Sequence, residues 1–354
     1  MSSNVTYKCP SCGAYLVFDP DSQKWTCPFC NSVFEEQELL AKGEEYAKQA
    51  EQEKPETAPT EDGTQQVVYN CPSCGSQIIT DETTVATNCY YCHNPVVLQG
   101  KLTKDMKPDR VLPFAIGKEK AVDTFMGWAK KKRFIPTGFF NENEVKTMQG
   151  VYYPHFVADC TVDGVFDGEG RNTRVQDTPK YIITNTDHYH VRREGTIRFR
   201  NIMRPALSGV NRKLSDGIHP FPLDDLKPFS GAYLSGFLAE RRDVDADSVK
   251  EDIAGEADRY VEPIFDETIH YTSHNGETSS RLRKFSTEYV LLPTWVLTYP
   301  NKEKKDEPYY YVMNGSTGAV CGKLPISGKK LGLTSALIGL IVFAICLVVG
   351  YFFI

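Results

Sequence analysis

The sequence predicts a multidomain chain: two small β zinc ribbons, a β-rich α+β cytoplasmic domain and one C-terminal transmembrane helix. Three observations predict it. One cysteine frame occurs twice, at an offset of 62 residues. The long middle of the chain carries apolar runs punctuated by Pro and Gly. The last segment, Leu331 to Ile354, has no charged side chain.

Residues 9–30 read CPSCGAYLVFDPDSQKWTCPFC, and residues 71–92 read CPSCGSQIITDETTVATNCYYC. Each holds two Cys-x2-Cys pairs 14 residues apart, which gives Cys9, Cys12, Cys27 and Cys30, then Cys71, Cys74, Cys89 and Cys92. Four thiolates in two close pairs suit tetrahedral zinc and leave no open coordination position, so two structural Zn2+ ions are expected. After each pair the chain must turn sharply, through a left-handed backbone that Gly tolerates best and Asn or His next. Gly13, Asn31, Gly75 and His93 stand there. His93 is therefore read as a turn residue and not as a fifth ligand. Between the first pairs, AYLVFDPDSQKWT reads strand, turn, strand around Asp19-Pro20-Asp21. Redox Cys-x-x-Cys motifs need a thioredoxin-like βαβ context, which is lacking, and disulfides need an oxidising compartment.

The ribbons are assigned residues 1–34 and 67–100. Residues 35–66 are read as an acidic helix followed by a flexible linker, because EEQELLAKGEEYAKQAEQEK favours helix and PETAPTEDGTQQ favours a linker. A solvated tether of this kind makes the ribbons a two-headed probe whose heads fold independently.

Residues 101–328 are assigned to the β-rich domain. VLPFAI (111–116) reads as a strand and residues 118–133 as an amphipathic helix with Val122, Phe125, Met126 and Ala129 on one side. Tyr153-Pro154-His155-Phe156 and Leu292-Pro293-Thr294-Trp295 share a pattern, each opening a predicted hairpin, which suggests a diverged duplication. PYYYVMNGSTGAVCGKLP supplies a return strand and an Asn-Gly turn. DADSVKEDIAGEADRYVEPI reads as an acidic helix with Asp247 as N-cap and Val249, Ile253, Ala257 and Tyr260 facing inward.

The terminal segment, 331–354, is long enough to cross a bilayer at about 1.5 Å per residue. Lys323, Lys329 and Lys330 precede it, so the positive-inside rule places the N-terminal part in the cytoplasm, as in a single-pass tail anchor in the cell membrane. The opening MSSNVTYK is polar, and no signal peptide is expected.

Lys and Arg total 40 against 46 Asp and Glu, a formal charge of −6. With both sites carrying zinc the charge falls to about −10, which argues against nucleic acid as a partner. No phosphate-binding glycine loop, zinc-protease helix or nucleophile elbow is present. His188 and His190 share one strand face without a third ligand and read as surface histidines. Cys160 and Cys321 read as isolated small buried residues. Arg192, Arg193, Arg198, Arg200 and Arg204 form a cationic ladder for which two readings stand: a face paired with the acidic helix, which is preferred, or a contact with anionic lipid.

The stretches GVYYPHFVADC, LKPFSGAYLSGFLAERRDV and LLPTWVLTYP with YVMNGSTGAVCGKLP, taken with the ribbons and the terminal span, resemble a group of bacterial tail-anchored membrane proteins with N-terminal TFIIB-type zinc ribbons. The resemblance covers most of the chain and rests on aromatic, Gly and Pro positions. Some members resemble partners of SPFH-type scaffold proteins and phage-shock-type envelope-stress proteins. The implied role is a membrane-anchored adaptor that recruits cytoplasmic proteins, in an envelope stress response, with no catalytic residue to carry over. Phe29, Tyr90 and Tyr91 are the candidate partner-binding residues, and Tyr15 is divided between that role and packing on its own ribbon. Two other readings stay open: an enzyme with an unrecognised site in the β-rich domain, and a nucleic-acid-binding ribbon factor. The second is disfavoured because residues 71–100 contain no Lys or Arg.

Overall fold

The structure, a computed structural model, describes residues 4–39, 56–59, 65–71, 74, 76–81, 83–89, 92–98, 106–136, 145, 147–299 and 309–353. Strand β1 (Asn4–Val5) leads into the first cysteine unit, which folds as β2 (Val17–Asp19), β3 (Lys24–Thr26) and β4 (Val33–Phe34), an antiparallel sheet in that order. The turn falls where Asp19 and Pro20 place it: the Asp19 carboxylate accepts from the Asp21 and Ser22 amides at 3.2 and 3.3 Å. Residues 36–39 begin a helix, as expected. Within the segment expected to be a flexible linker, β5 (Glu56–Pro59) instead pairs with β6 (Gln65–Asn70), which pairs with β7 (Gln77–Asp81). The second cysteine unit continues into β8 (Thr84–Asn88) and β9 (Pro95–Leu98).

The body follows: β10 (Arg110–Val111), α1 (Lys118–Lys130), β11 (Gln149–Asp177), β12 (Ile182–Pro205), α2 (Arg212–Asp216), β13 (Lys227–Pro228), β14 (Leu238–Glu240), α3 (Ala246–Asp266), β15 (Ser273–Tyr299), β16 (Tyr309–Asn314), β17 (Val320–Gly322) and α4 (Gly328–Phe353). The main sheet among the described residues runs β1-β9-β8-β14-β11-β15-β10-β13, with β12 on β11 and β16 and β17 beyond β15. Strands β1, β8 and β9 lie within the ribbon spans, so the body's sheet begins before residue 101.

The two prolines of the repeated motif sit where each long strand changes partner. β11 pairs in parallel with β14 at Val151 and Tyr152, then antiparallel with β12 from His155 onward. β15 pairs in parallel with β10 at Val290 and Leu291, then antiparallel with β16 from Thr294 onward. Pro154 and Pro293 fall in the gaps, where a missing N–H costs no ladder bond. Their carbonyls both accept a returning amide, from Ala206 and Gly315. Tyr153 pairs with Leu292, its counterpart in the motif. Antiparallel pairing of equivalent residues gives the body a local two-fold arrangement, consistent with the duplication read from the sequence.

Past this hub, β12, β11 and β15 run on as a three-stranded finger. From His155 to Asp177 it extends about 75 Å at the usual strand rise. Helix α3 covers one face through buried Val249, Ile253, Ala257, Val261 and Phe265. Gly164 admits the helix: a Cβ there would lie 2.7 Å from Val261 and 2.9 Å from Phe265. Two details of α3 differ from expectation. Asp245, not Asp247, stands at the N-cap, and Tyr260 is exposed, because Val261 takes the inward position. The expected strand at 111–116 is confined to Arg110–Val111, and the expected Asn-Gly turn is a longer loop closed by the buried Asn314, whose side chain accepts from the Ser316 and Thr317 amides.

Helix α1 buries Ala121, Phe125 and Ala129, with Phe125 edge-on to Tyr311 at 4.4 Å. Helix α4 starts at Gly328, before the expected Leu331, and Gly328–Val349 is long and apolar enough to cross a membrane with none of it buried. Its first turn is rooted in the body: the Ser327 amide donates to the Phe134 carbonyl at 2.6 Å, and Lys330 Nζ donates to the Ile135 carbonyl at 2.7 Å.

Candidate metal centres

The cysteine frames form two compact sets among the described residues, Cys9, Cys12, Cys27 and Cys30, and Cys71, Cys74, Cys89 and Cys92, each with its sulfurs within 4.8 Å of one another. Local backbone bonding builds both. In each pair the first cysteine's amide donates to a carbonyl five residues on: Cys9 to Ala14, Cys27 to Ser32, Cys71 to Ser76 and Cys89 to Asn94. The amides of Gly13, Asn31 and His93 return to the carbonyls of Cys9, Cys27 and Cys89, and these three residues have φ of 76°, 57° and 57°. The left-handed turn read from the sequence is present at all three, and His93 is the turn residue. Gly75, Tyr90 and Tyr91 lie outside the described residues.

A tetrahedral ion with metal–sulfur bonds of about 2.3 Å requires sulfurs about 3.8 Å apart. Cys9 and Cys30 are 3.6 Å apart, Cys12 and Cys27 3.5 Å, Cys71 and Cys92 3.7 Å, and Cys74 and Cys89 3.8 Å. The residues therefore fit a four-coordinate metal ion in each set. The first cysteine of each pair is buried, while its partner lies nearer the surface. Two serines, which the sequence reading passed over, face the sulfurs. Ser32 Oγ lies 3.2 Å from Cys30 Sγ, and Ser76 Oγ lies 3.2 Å from Cys74 Sγ. Hydrogen bonds from these serines lower the thiols of Cys30 and Cys74 to about 6, so each set has one sulfur already biased to the thiolate a metal needs. Cys92 is pushed up to about 12, first by burial and then by its neighbours Cys74 and Cys71. A bound cation would reverse that cost by neutralising the crowded sulfurs.

The sets are not heads on a tether. In the first unit, Phe18 and Trp25 are each about 1% exposed and pack on Tyr233 at 5.3 and 5.1 Å. Trp25 Nε1 donates to the Ala232 carbonyl at 2.8 Å, and Ser235 Oγ donates to the Leu16 carbonyl at 2.5 Å. Tyr7, Cys9, Leu16 and Cys27 join one apolar core with Phe114, Tyr152 and Trp295 of the body. The second unit docks through strand pairing, β8 with β14 and β9 with β1, and its Val85, Ala86 and Val97 join the main core. Its own residues Tyr69, Cys71, Ile78, Cys89, Val96 and Leu98 form a separate small core. Independence of the heads was the wrong expectation, because the spacer's composition carries no information about which ribbon residues face the body.

Of the candidate contact residues, Phe29 is 68% exposed, and Tyr15 packs edge-on against it at 5.4 Å. Among the described residues His188 and His190 do not meet a third ligand; His190 pairs with Asp167 at 2.9 Å on the finger surface. Cys160 is buried, and Cys321 is partly so. The arginine ladder divides. Arg204 pairs with Asp252 and Glu256 of the acidic helix, and Arg192 pairs with Asp167 and Glu194. Arg198 and Arg200 stand apart from both groups.

One buried polar pair escaped the sequence reading. His155 is 3% exposed, with Nδ1 3.2 Å from the Tyr153 carbonyl and Nε2 3.1 Å from Ser215 Oγ. A carbonyl only accepts, so Nδ1 carries the proton and Nε2 accepts from the serine. Burial lowers the imidazole to about 4, which keeps it neutral.

Fold and sites thus define a β-rich protein with two four-cysteine clusters and one apolar C-terminal helix. The chain is similar to a protein of Bacillus subtilis (strain 168) described as uncharacterized protein YdjG, with 29% identity over 332 residues, covering 92% of each chain. No family model and no solved structure matches it.

Proposed function

We propose that the chain is a membrane-anchored zinc-ribbon adaptor that holds cytoplasmic protein partners at the membrane. The observation that carries this reading is the rooting of an unburied apolar helix in the same body that carries both cysteine sets. Zinc is the assigned ion, because four thiolates at tetrahedral spacing are its preferred structural site. Such a site leaves no coordination position for substrate or activated water, so the metal's contribution is folding energy and not catalysis. Lys329 and Lys330 at the helix start support a body on the cytoplasmic side of the cell membrane, by the positive-inside rule. The resemblance to the TFIIB-type ribbon group supplies the partner class, an SPFH-type or phage-shock-type scaffold.

Because both ribbons are built into the body, they act as one rigid platform, and Phe29 is its exposed apolar contact. The test is co-purification of such a scaffold with the detergent-solubilised protein from membranes, comparing wild type with Phe29→Ser. Phe29→Ser should keep both metal ions and membrane insertion while scaffold recovery falls about tenfold, as expected on losing a buried aromatic anchor. Undiminished recovery would remove ribbon 1 as the reader. Deleting residues 331–354 should move the protein into the soluble fraction with both metals retained, and continued sedimentation with membranes would count against the anchor.

A further inference from the structure

Arg198 and Arg200 lie on the face of the finger that α3 does not cover, at a place where both outer strands carry a bulge. In β12 the register shifts between Ala158 and Cys160 of β11, so Arg200 and Asn201 together oppose Asp159. Asn201 adopts φ of 56° and donates its amide to Asp159 Oδ1 at 2.8 Å. In β15 the register shifts between Thr161 and Val162 of β11, which leaves Arg283 as the extra residue. Phe199 and Ile202 on one strand, and Leu282 and Phe285 on the other, all pack toward the core. The residues between them are therefore forced outward, and Arg283 and Lys284, adjacent in sequence, share one face. Strict alternation would have put them on opposite faces.

The result is a depression of about 420 Å³ whose lining includes Arg198, Arg200, Arg283, Lys284, Thr161 and Thr196. Arg198 and Lys284 flank Thr161 in one cross-strand row. Two carboxylates temper the charge. Asp159 lines the depression and is engaged by Asn201; Asp163 accepts from Thr196 Oγ1 at 2.7 Å and lies 3.7 Å from Arg283 Nη1. Arg198, Arg200 and Lys284 have no ion pair or hydrogen bond among the described residues, whereas Arg192 and Arg204 on the same strand are fully paired. Like charges gathered on one face across the intervening strand β11 repel, and an anion in the depression would offset that repulsion. Four cations against two acids leave an excess of about two positive charges, the complement of a phosphate dianion, and guanidinium groups suit its oxygens by fork geometry.

We propose that this double bulge is a binding site for a phosphate dianion, presented either by a small phosphate compound or by the headgroup of a phosphomonoester lipid. Arg198 and Arg200 would grip its oxygens from β12, Lys284 would add charge from β15, and the Thr161 hydroxyl would donate from the floor. The site is separate from the cysteine clusters and does not depend on the adaptor reading.

The test uses the full chain in two settings with one readout, the phosphorus NMR signal of the probe. In non-ionic detergent micelles the probe is inorganic phosphate at constant ionic strength; in phosphatidylcholine nanodiscs it is added phosphatidate. The variants are Arg198→Ser combined with Lys284→Ser, and Arg174→Ser as an equal-chemistry control elsewhere on the finger, where Arg174 pairs with Asp187. Saturable binding of inorganic phosphate that weakens at least about tenfold in the double variant and is unchanged in the control supports the site with a soluble ligand. The same pattern with phosphatidate alone supports it with a lipid source. The proposal is overturned by the absence of binding in both settings, by an equal loss in the control, or by affinity for a short oligonucleotide without affinity for either phosphate probe. All three positions are exposed, and an unchanged thermal midpoint confirms that the variants are folded.

Discussion

The two cysteine units share a frame residue for residue, yet they join the molecule by different physics. At the offset of 62, Tyr7 matches Tyr69 and Leu16 matches Ile78, and all four are buried. Tyr69 and Ile78 serve the second unit's own core, while Tyr7 and Leu16 belong to the main core. Phe18 and Trp25 match Thr80 and Thr87. In the first unit these slots hold large aromatics that reach into the body's core, and in the second they hold small hydroxyl residues. The second unit relies instead on strand pairing, with Ala86 opposite Ala239 and Thr84 opposite Glu240, and only the small side chains of Val85, Ala86 and Val97 enter the main core. The cysteine frame thus fixes the local turn geometry and leaves the outer hairpin positions free to specify attachment. One copy attaches by a side-chain wedge and the other by strands of the main sheet.

The largest effect that distinguishes them should come from breaking each metal site in turn. Cys27→Ser and Cys89→Ser should each lose about one metal equivalent, since a closed site tolerates no missing ligand. A structural zinc contributes about 10–16 kcal/mol of apparent folding energy, comparable to or larger than the net stability of about 5–15 kcal/mol for a whole domain. Cys27→Ser should therefore lower the main unfolding transition, because the unit it disorders is part of the main core. Cys89→Ser should add an early transition for the second unit's own small core and lower the main one less than Cys27→Ser does, because only Val85, Ala86 and Val97 of that unit reach the main core. Calorimetry with metal analysis reads both, and equal shifts of the main transition would erase the distinction drawn here.

A smaller effect comes from the wedge alone. Trp25→Ala should cost about 3–5 kcal/mol with both metals retained, whereas Thr87→Ala should cost about 1 kcal/mol. Urea denaturation of the two variants compares them directly, and similar losses would mean that the aromatic contact is incidental.

Acid should give the smallest of the three and separates the body from both metal units. The His155 imidazole is held near 4 in the fold against 6.5 in the unfolded chain. Its folded value is depressed, so the unfolded chain takes up a proton that the native state refuses between these limits. The stabilisation is complete above pH 6.5 and is lost as pH falls toward 4, by about 3 kcal/mol. His155→Gln keeps a polar partner for Ser215 and should flatten the fall in stability between pH 6.5 and 4.5. A wild-type slope preserved in that variant would move the acid response to the cysteine clusters.

Much of this molecule was legible from its sequence for reasons that are local. Two Cys-x2-Cys pairs close one four-sulfur cluster because the intervening hairpin is short, and Gly13, Asn31 and His93 mark left-handed turns because few residue types tolerate that backbone. The helix Gly328–Val349 is long and apolar enough to cross a membrane because no charged side chain follows Lys330. Helices α1 and α3 followed from their 3.6-residue periods. What sequence alone could not determine depends on partners distant in the chain. Trp25 packs against Tyr233 more than two hundred residues away, and His155 finds Ser215 across the hub. The linker reading failed at Glu56–Pro59 because strand pairing there is decided by a neighbour, not by composition. RLRKF at 281–285 breaks strand alternation in plain sight, yet only the register against Thr161 and Val162 shows that the break turns Arg283 and Lys284 to the same side. Local chemistry set the turns, the metal ligands and the helices, while the assembled sheet decided which side chains meet.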